Sequence, residues 1–101
     1  MDWYAVRHVV ANGSLFEERV TLWHAASAEE AIAQAEKEVA AYTATVGGQP
    51  LSLFQSYHLA DEPADGAEVF SLIRRSELSP ELYLDTFFDT GQERQQVVLA
   101  D

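Results

Sequence analysis

The chain has 101 residues, 48% of them hydrophobic, and seventeen acidic against six basic side chains give it a net charge of −11. This length allows one domain with a modest core, and the composition is too apolar for a disordered chain. The charge opposes nucleic-acid binding, the lack of cysteine excludes disulfides, and no apolar run approaches the ~20 residues of a membrane helix. We therefore expect one cytoplasmic domain at residues 1–101, with residues 89–101 as a candidate extended tail and without nucleic-acid or membrane partners.

The first elements predicted are the two strands of a hairpin. Residues 3–10 (WYAVRHVV) and 15–24 (LFEERVTLWH) are rich in β-branched and aromatic side chains, and Asn12-Gly13 lies between them. Asn-Gly favours a type I′ turn, because both central residues of that turn need positive φ and Asn and Gly adopt it more readily than other residues. Centring the turn on these two residues predicts the following facing pairs: Trp3 with Leu22, Ala5 with Val20, Arg7 with Glu18, Val9 with Phe16, Tyr4 with Thr21, Val6 with Arg19, His8 with Glu17, and Val10 with Leu15.

A long helix is predicted to follow the hairpin. Ser27 with Glu30 three residues later forms the pattern of a capping box, and Gly47-Gly48 ends the segment. Between these limits, apolar residues recur at the three-and-four spacing of one helical face, which predicts packing of that face on the sheet. The apolar stripe consists of Ala28, Ala31, Ile32, Ala35, Val39, Tyr42 and Val46.

The second half of the chain predicts two further strands and a short helix. Residues 51–60 and 67–75 read as strands joined by the turn DEPADG, and Ser79-Pro80 starts a helix over residues 80–88. Val97-Val98-Leu99 is a candidate weak edge strand. The predicted fold class is therefore α+β, with ββαββα order: a four-stranded, mainly antiparallel sheet, the long helix packed on one face, and a short C-terminal helix.

Asp89-Thr90-Gly91 matches the triplet that carries the catalytic aspartate of aspartic proteases. Such an aspartate must share a proton with a second one, and a β-rich domain must hold the pair. Here the preceding residues favour a helix and only twelve residues follow Asp89. The triplet is better explained as the end of a helix, with Gly91 in the left-handed conformation.

The remaining polar residues predict no catalytic or metal site, and we expect no cofactor. His8, His24 and His58 lack the close spacing of a zinc motif, and Asp61-Glu62 with Asp65 lacks the ligand alternation of a calcium loop. His8 and His58 are each better explained as partly buried, hydrogen-bonded strand residues. Arg74-Arg75 could bind a carboxylate or phosphate but more often pairs with nearby acids such as Glu77.

Several segments together resemble a family of small bacterial proteins, the domain of unknown function 4288. They are WYAVRHVV, FEERVTLWHA, AEEAIAQAE, GAEVFSLIRRSEL and FFDTGQER, which cover most of the chain. The resemblance implies a bacterial cytosolic protein and supplies no catalytic residue.

These observations favour a non-enzymatic binding or assembly module that forms a homodimer. The predicted interface is the sheet face that the long helix leaves open, and Val6→Asp is expected to dissociate the dimer without unfolding it. One alternative is an acidic inhibitor or immunity-type protein that binds a basic protein, and another is a small enzyme that uses a histidine with a carboxylate. The residues assigned to this open face are Tyr4, Val6, His8, Val10, Leu15 and Glu17.

Overall fold

A computed structural model describes residues 1–94 of the chain. It divides into two compact units, Met1–Ser71 and a second unit that begins at Leu72. Its elements are strands β1 (Asp2–Asn12) and β2 (Leu15–Ala25), helix α1 (Ala28–Val46), strands β3 (Gln49–Pro50) and β4 (Gln55–His58), helix α2 (Pro80–Tyr83), and a π-helical turn (Leu84–Phe88). This confirms the α+β class with a four-stranded antiparallel sheet, a long helix and a short C-terminal helix.

The hairpin loop lies one residue later than predicted, which shifts the strand pairing by two residues. Asn12 pairs with Leu15, so Gly13-Ser14 forms the two-residue loop, and Ala5 faces Leu22 rather than Val20. Gly13 has φ 62°, whereas no non-glycine residue of the described chain has positive φ. A loop with glycine first needs positive φ only there, so Asn12 avoids the left-handed conformation that the predicted turn required of it.

A shift of two residues keeps every side chain on its predicted face, because successive side chains alternate between faces. The ion pair expected between Arg7 and Glu18 still forms at 2.9 Å, but diagonally, since Glu18 faces Val9. His8 faces Arg19 instead of the predicted Glu17. The division of the hairpin into two faces is therefore confirmed, while the pairing within each face is corrected.

Helix α1 begins and ends where the sequence predicted. The Ser27 hydroxyl accepts a bond from the Glu30 amide at 3.1 Å, and the Glu30 carboxylate accepts from the Ala26 amide at 3.3 Å. After the helix ends, the chain passes so close to β1 that a Cβ on Gly48 would lie 2.9 Å from the Ala11 carbonyl oxygen. Glycine is therefore required at position 48 for the chain to join the sheet directly.

The predicted strand 51–60 is shortened to β4 (Gln55–His58), and a bulge separates it from β3 (Gln49–Pro50), which lies before the predicted start. β1 is the central strand: β2 lies on one side of it, and on the other side β3 pairs at Val10 and Ala11 and β4 at residues 4–7. Four residues separate Pro50 from Gln55, whereas two separate Val10 from Arg7, so the outer strand carries two extra residues. This insertion places Phe54 against the core.

The strand predicted at residues 67–75 is absent from the structure. Within the first unit, Phe70 instead packs against Tyr57, with ring centroids 5.8 Å apart, and lies under the Arg7 guanidinium. Its apolar side chain therefore covers the sheet rather than extending it. The predicted strand at Val97-Val98-Leu99 lies outside the described residues.

In the second unit, the helical segment matches the predicted 80–88. The Ser79 hydroxyl accepts a bond from the Leu82 amide at 3.3 Å, and Pro80 occupies the first turn. Arg74 donates a bond to the Tyr83 hydroxyl at 3.0 Å and lies over the Phe87 ring. This interaction replaces the expected pairing of the basic residues with Glu77.

Candidate functional site

The residues predicted to form the open face lie mainly beneath helix α1. Tyr4, Val6, His8 and Val10 are buried, and Tyr4 and Val6 form the core with Ala25 and helix residues Ala31 and Ala35. Leu15 is exposed beside the hairpin turn, and Glu17 is half-buried against the helix. The predicted interface is therefore wrong, because α1 covers the face that was expected to remain open.

His8 occupies the centre of a polar cluster between the hairpin and α1. Its side chain is 1% exposed and its ring stacks on Phe54 at 5.3 Å. Nε2 lies 3.3 Å from Nη1 of Arg19, and since a guanidinium only donates, Nε2 accepts and the proton resides on Nδ1. Burial lowers the pKa of His8, Arg19 lowers it further, and Glu38 and Glu17 oppose the shift. The buried imidazole is therefore neutral at pH 7.

Arg19 and Glu17 connect β2 to the helix. Arg19 donates two bonds to the Glu38 carboxylate, at 3.0 and 3.1 Å, and its guanidinium lies 3.8 Å from the centroid of the Tyr42 ring. The Tyr42 hydroxyl donates to Glu17 at 2.7 Å, and this bond is the main cause of the raised pKa of Tyr42. These contacts orient α1 on the sheet.

The signal for this cluster was present in the sequence. Glu17 and Arg19 are two residues apart on a strand, and Glu38 and Tyr42 are four apart on a helix, so each pair projects from one face. The predicted helix stripe included Tyr42 but not Glu38, and the predicted pairing placed Arg19 opposite Val6. Matching the two spacings would have identified the contact.

The other histidines have separate structural partners. The His24 ring stacks on Trp3 at 4.8 Å, and the His58 ring stacks on Tyr4 at 4.9 Å with its Nε2 3.1 Å from Asp2. Within residues 1–94, no group of three or more histidine and carboxylate side chains is arranged to hold a metal ion, and Asp61-Glu62 with Asp65 forms none.

The Asp89-Thr90-Gly91 triplet is held by local hydrogen bonds, chiefly to the Glu93 side chain. The Thr90 hydroxyl donates to Glu93 at 2.7 Å, and the Thr90 amide donates to the same carboxylate at 2.8 Å. These bonds lower the pKa of Glu93 to about 2, with the hydroxyl making the largest contribution. Gly91 has the predicted positive φ, 86°, but it does not end the helical segment, which ends at Phe88 with the Asp89 amide bonded to the Leu84 carbonyl. The triplet that matches the protease motif is therefore explained by local hydrogen bonding after the helical segment.

The face of the hairpin away from α1 is covered on one side only. Ala5 is fully buried beside Tyr57, where Phe70 packs. On β2, by contrast, Phe16, Val20 and Leu22 are 65, 46 and 38% exposed. These three residues, here called the β2 strip, are the strongest candidate binding surface in the first unit, because they follow one strand on one face.

Comparisons with family models, with curated proteins and with solved structures find no match for this chain. The resemblance to the domain of unknown function therefore stays a prediction. No helix among residues 1–94 has both the length and the apolar character that crossing a membrane requires.

Proposed function

We propose that the chain is a non-enzymatic assembly module that forms a homodimer through the β2 strip. The observation that carries the proposal is the row of exposed Phe16, Val20 and Leu22 along one strand. Isolated apolar residues on a surface are ordinary, whereas three on one face of a strand, interrupted there only by Glu18, form an apolar surface of the kind that mediates association.

A second copy is the occupant best matched to this strip. The charged residues next to it are largely neutralised within the chain: Glu18 is bonded to Arg7, and Arg19 is bonded to Glu38. An apolar row between neutralised charges presents no large field to its own copy at short range, although the whole chain carries −11. Salt is therefore expected to strengthen the dimer by screening the overall repulsion.

Sedimentation equilibrium at micromolar concentration tests the proposal. We expect the mass of a dimer for the native chain and of a monomer for Val20→Asp, since a carboxylate in the centre of the strip is costly to bury. Ala33→Asp is the matched control: it adds the same charge at an exposed position of α1 and should leave the dimer intact. A monomeric native chain would refute the proposal.

Binding to a basic protein is the second candidate, favoured by the seventeen acidic side chains against six basic ones. Electrostatic capture of this kind weakens steeply with salt, which is opposite to the behaviour expected of the dimer. Titration with polylysine at low and high salt distinguishes the two. Absence of binding at low salt would reject this candidate and leave the dimer unaffected.

A further inference from the structure

We infer that self-association runs through the free edge of β2, which pairs antiparallel with β2 of a second copy about a twofold axis at Thr21. The inference rests on the proposed homodimer and specifies its geometry. Three observations support it. The backbone groups along one edge of β2 are unpaired, the edge lacks the features that usually prevent strand pairing, and one register gives compatible side-chain pairs.

The register of the hairpin determines which backbone groups point outward. Asn12 and Leu15 flank a two-residue loop and therefore form a hydrogen-bonded pair, and such pairs recur at every second position. Odd-numbered residues of β2 thus direct their amide and carbonyl groups to β1. The other side of β1 agrees with this alternation, since the carbonyls of Val9 and Trp3 accept bonds from Leu51 and Leu59. The residues whose backbone amide and carbonyl groups point away from β1 are Phe16, Glu18, Val20, Leu22 and His24.

Within residues 1–94, β2 pairs with β1 alone, so this edge has no ladder partner. A free edge of eleven residues is a template for another strand unless proline, lysine, a bulge or inward charges protect it. β2 contains no proline or lysine, and its eleven pairs with β1 run without a bulge. Of its three charged residues, Glu17 and Arg19 are bonded to the helix and Glu18 is bonded to Arg7, so their engagement within the chain weakens the electrostatic protection of this edge.

Side-chain matching selects one register. Outward-pointing residues must face each other across the axis, so even-numbered positions pair with even-numbered ones. An axis at Glu18 or Arg19 places like charges opposite each other, and an axis at Val20 places Glu18 opposite Leu22. An axis at Thr21 instead pairs Val20 with Leu22 of the second copy and Glu18 with its His24. Apolar and complementary polar partners then coincide in one arrangement.

This arrangement also joins the β2 strips of the two copies. Val20 and Leu22 of each chain meet at the axis on the open face, so four exposed apolar side chains form one patch. The sheet becomes continuous through both hairpins. Backbone pairing therefore provides the direction of association, and the merged patch provides its apolar burial.

Cross-linking at the axis tests the inference, because the chain has no cysteine of its own. Facing residues in a non-hydrogen-bonded antiparallel pair have Cα atoms about 4.5 Å apart, within reach of a disulfide. Thr21→Cys should form a disulfide-linked dimer roughly tenfold faster than Phe16→Cys, owing to its higher effective concentration across the axis. Phe16 is the more exposed of the two but lies far from the axis, which makes it the matched control.

A second measurement uses the native chain and so does not depend on a variant that folds. In a mixture of isotope-labelled and unlabelled protein, we expect intermolecular NMR contacts between the methyl groups of Val20 and Leu22. A dimer by sedimentation without these contacts, or with equal cross-linking at positions 16 and 21, would overturn the edge pairing while leaving the homodimer standing. A monomeric native chain would refute both the homodimer and the edge pairing. The remaining candidate partner for the β2 edge would then be a segment of the same chain.

Discussion

The face of the β1–β2 hairpin beneath α1 carries a larger share of polar side chains than the open face, and the two faces provide partners for these side chains in different ways. Beneath α1, His8, Arg19 and Glu17 are matched by Phe54, Glu38 and Tyr42, so charged groups are held within a packed layer. On the open face, Arg7 and Glu18 pair near the surface while Val20 and Leu22 meet solvent. Polar residues therefore belong to the covered face where the helix supplies partners for them, so polarity alone does not identify the exposed side.

Placing a carboxylate on each face in turn is expected to give the largest difference between the faces in unfolding free energy. Val6 is fully buried, so Val6→Asp places an unpaired charge in the core and should cost about 4 kcal/mol or more of unfolding free energy. Val20→Asp places the same group at an exposed position and should cost less than about 1 kcal/mol for the monomer. Denaturant unfolding at low protein concentration measures both. Equal losses would mean that the open face is covered after all.

The two arginine–glutamate pairs offer a smaller contrast between the same faces. Arg19→Met keeps the apolar stem but leaves Glu38 without its two bonds, with an expected cost of about 2 kcal/mol. Arg7→Met removes the pair with the well-exposed Glu18 and should cost about 0.5 kcal/mol. The difference in denaturant midpoint between the two variants checks the prediction. A reversed order would show that the open face contributes more to the fold than its exposure indicates.

The smallest expected difference between the two faces is the effect of histidine protonation on the free energy of unfolding. The pKa of buried His8 is lowered from its ordinary 6.5, so folded and unfolded chains both carry a neutral imidazole above that pH. Below it the unfolded chain takes up a proton that folded His8 does not, and stability falls as pH falls, by at most about 1.4 kcal/mol per pH unit.

Comparing denaturant unfolding at about pH 7.5 and about pH 5.5 measures this loss. His8→Gln should reduce it, whereas His24→Gln, which changes an exposed histidine on the open face, should preserve it. An unchanged pH dependence in the His8 variant would assign the loss to other groups.

Local rules predicted much of this fold because the elements have local causes. The cap at Ser27, the glycines after Val46 and the proline at position 80 act within a few residues, and each element begins or ends where these residues stand. The division of the hairpin into two faces also follows from alternation alone. The strip of Phe16, Val20 and Leu22 could have been read from the same alternation once its face was known to be open.

The incorrect predictions depend mainly on contacts between segments that are distant in the sequence. The predicted face for the helix was inverted because β1 is apolar on both sides. The choice between them depends on long-range contacts, namely those of Glu38 and Tyr42 with β2 and of Ala31 and Ala35 with the core. Residues 67–75 have strand-like composition, but the Phe70 side chain packs on Tyr57 and under Arg7, so it covers the sheet instead of extending it. The bulge in residues 51–54 depends on fitting Phe54 beneath the helix, which no local spacing encodes.

That bulge has a kinetic consequence for the buried imidazole. The ring that stacks on His8 belongs to Phe54, and the strand on either side of it is held to β1 by only two residues at one end and four at the other. Short ladders open more readily than the eleven-residue hairpin. The rate at which His8 meets a proton after a sudden drop in pH is therefore expected to follow the opening of this interrupted strand, ahead of global unfolding.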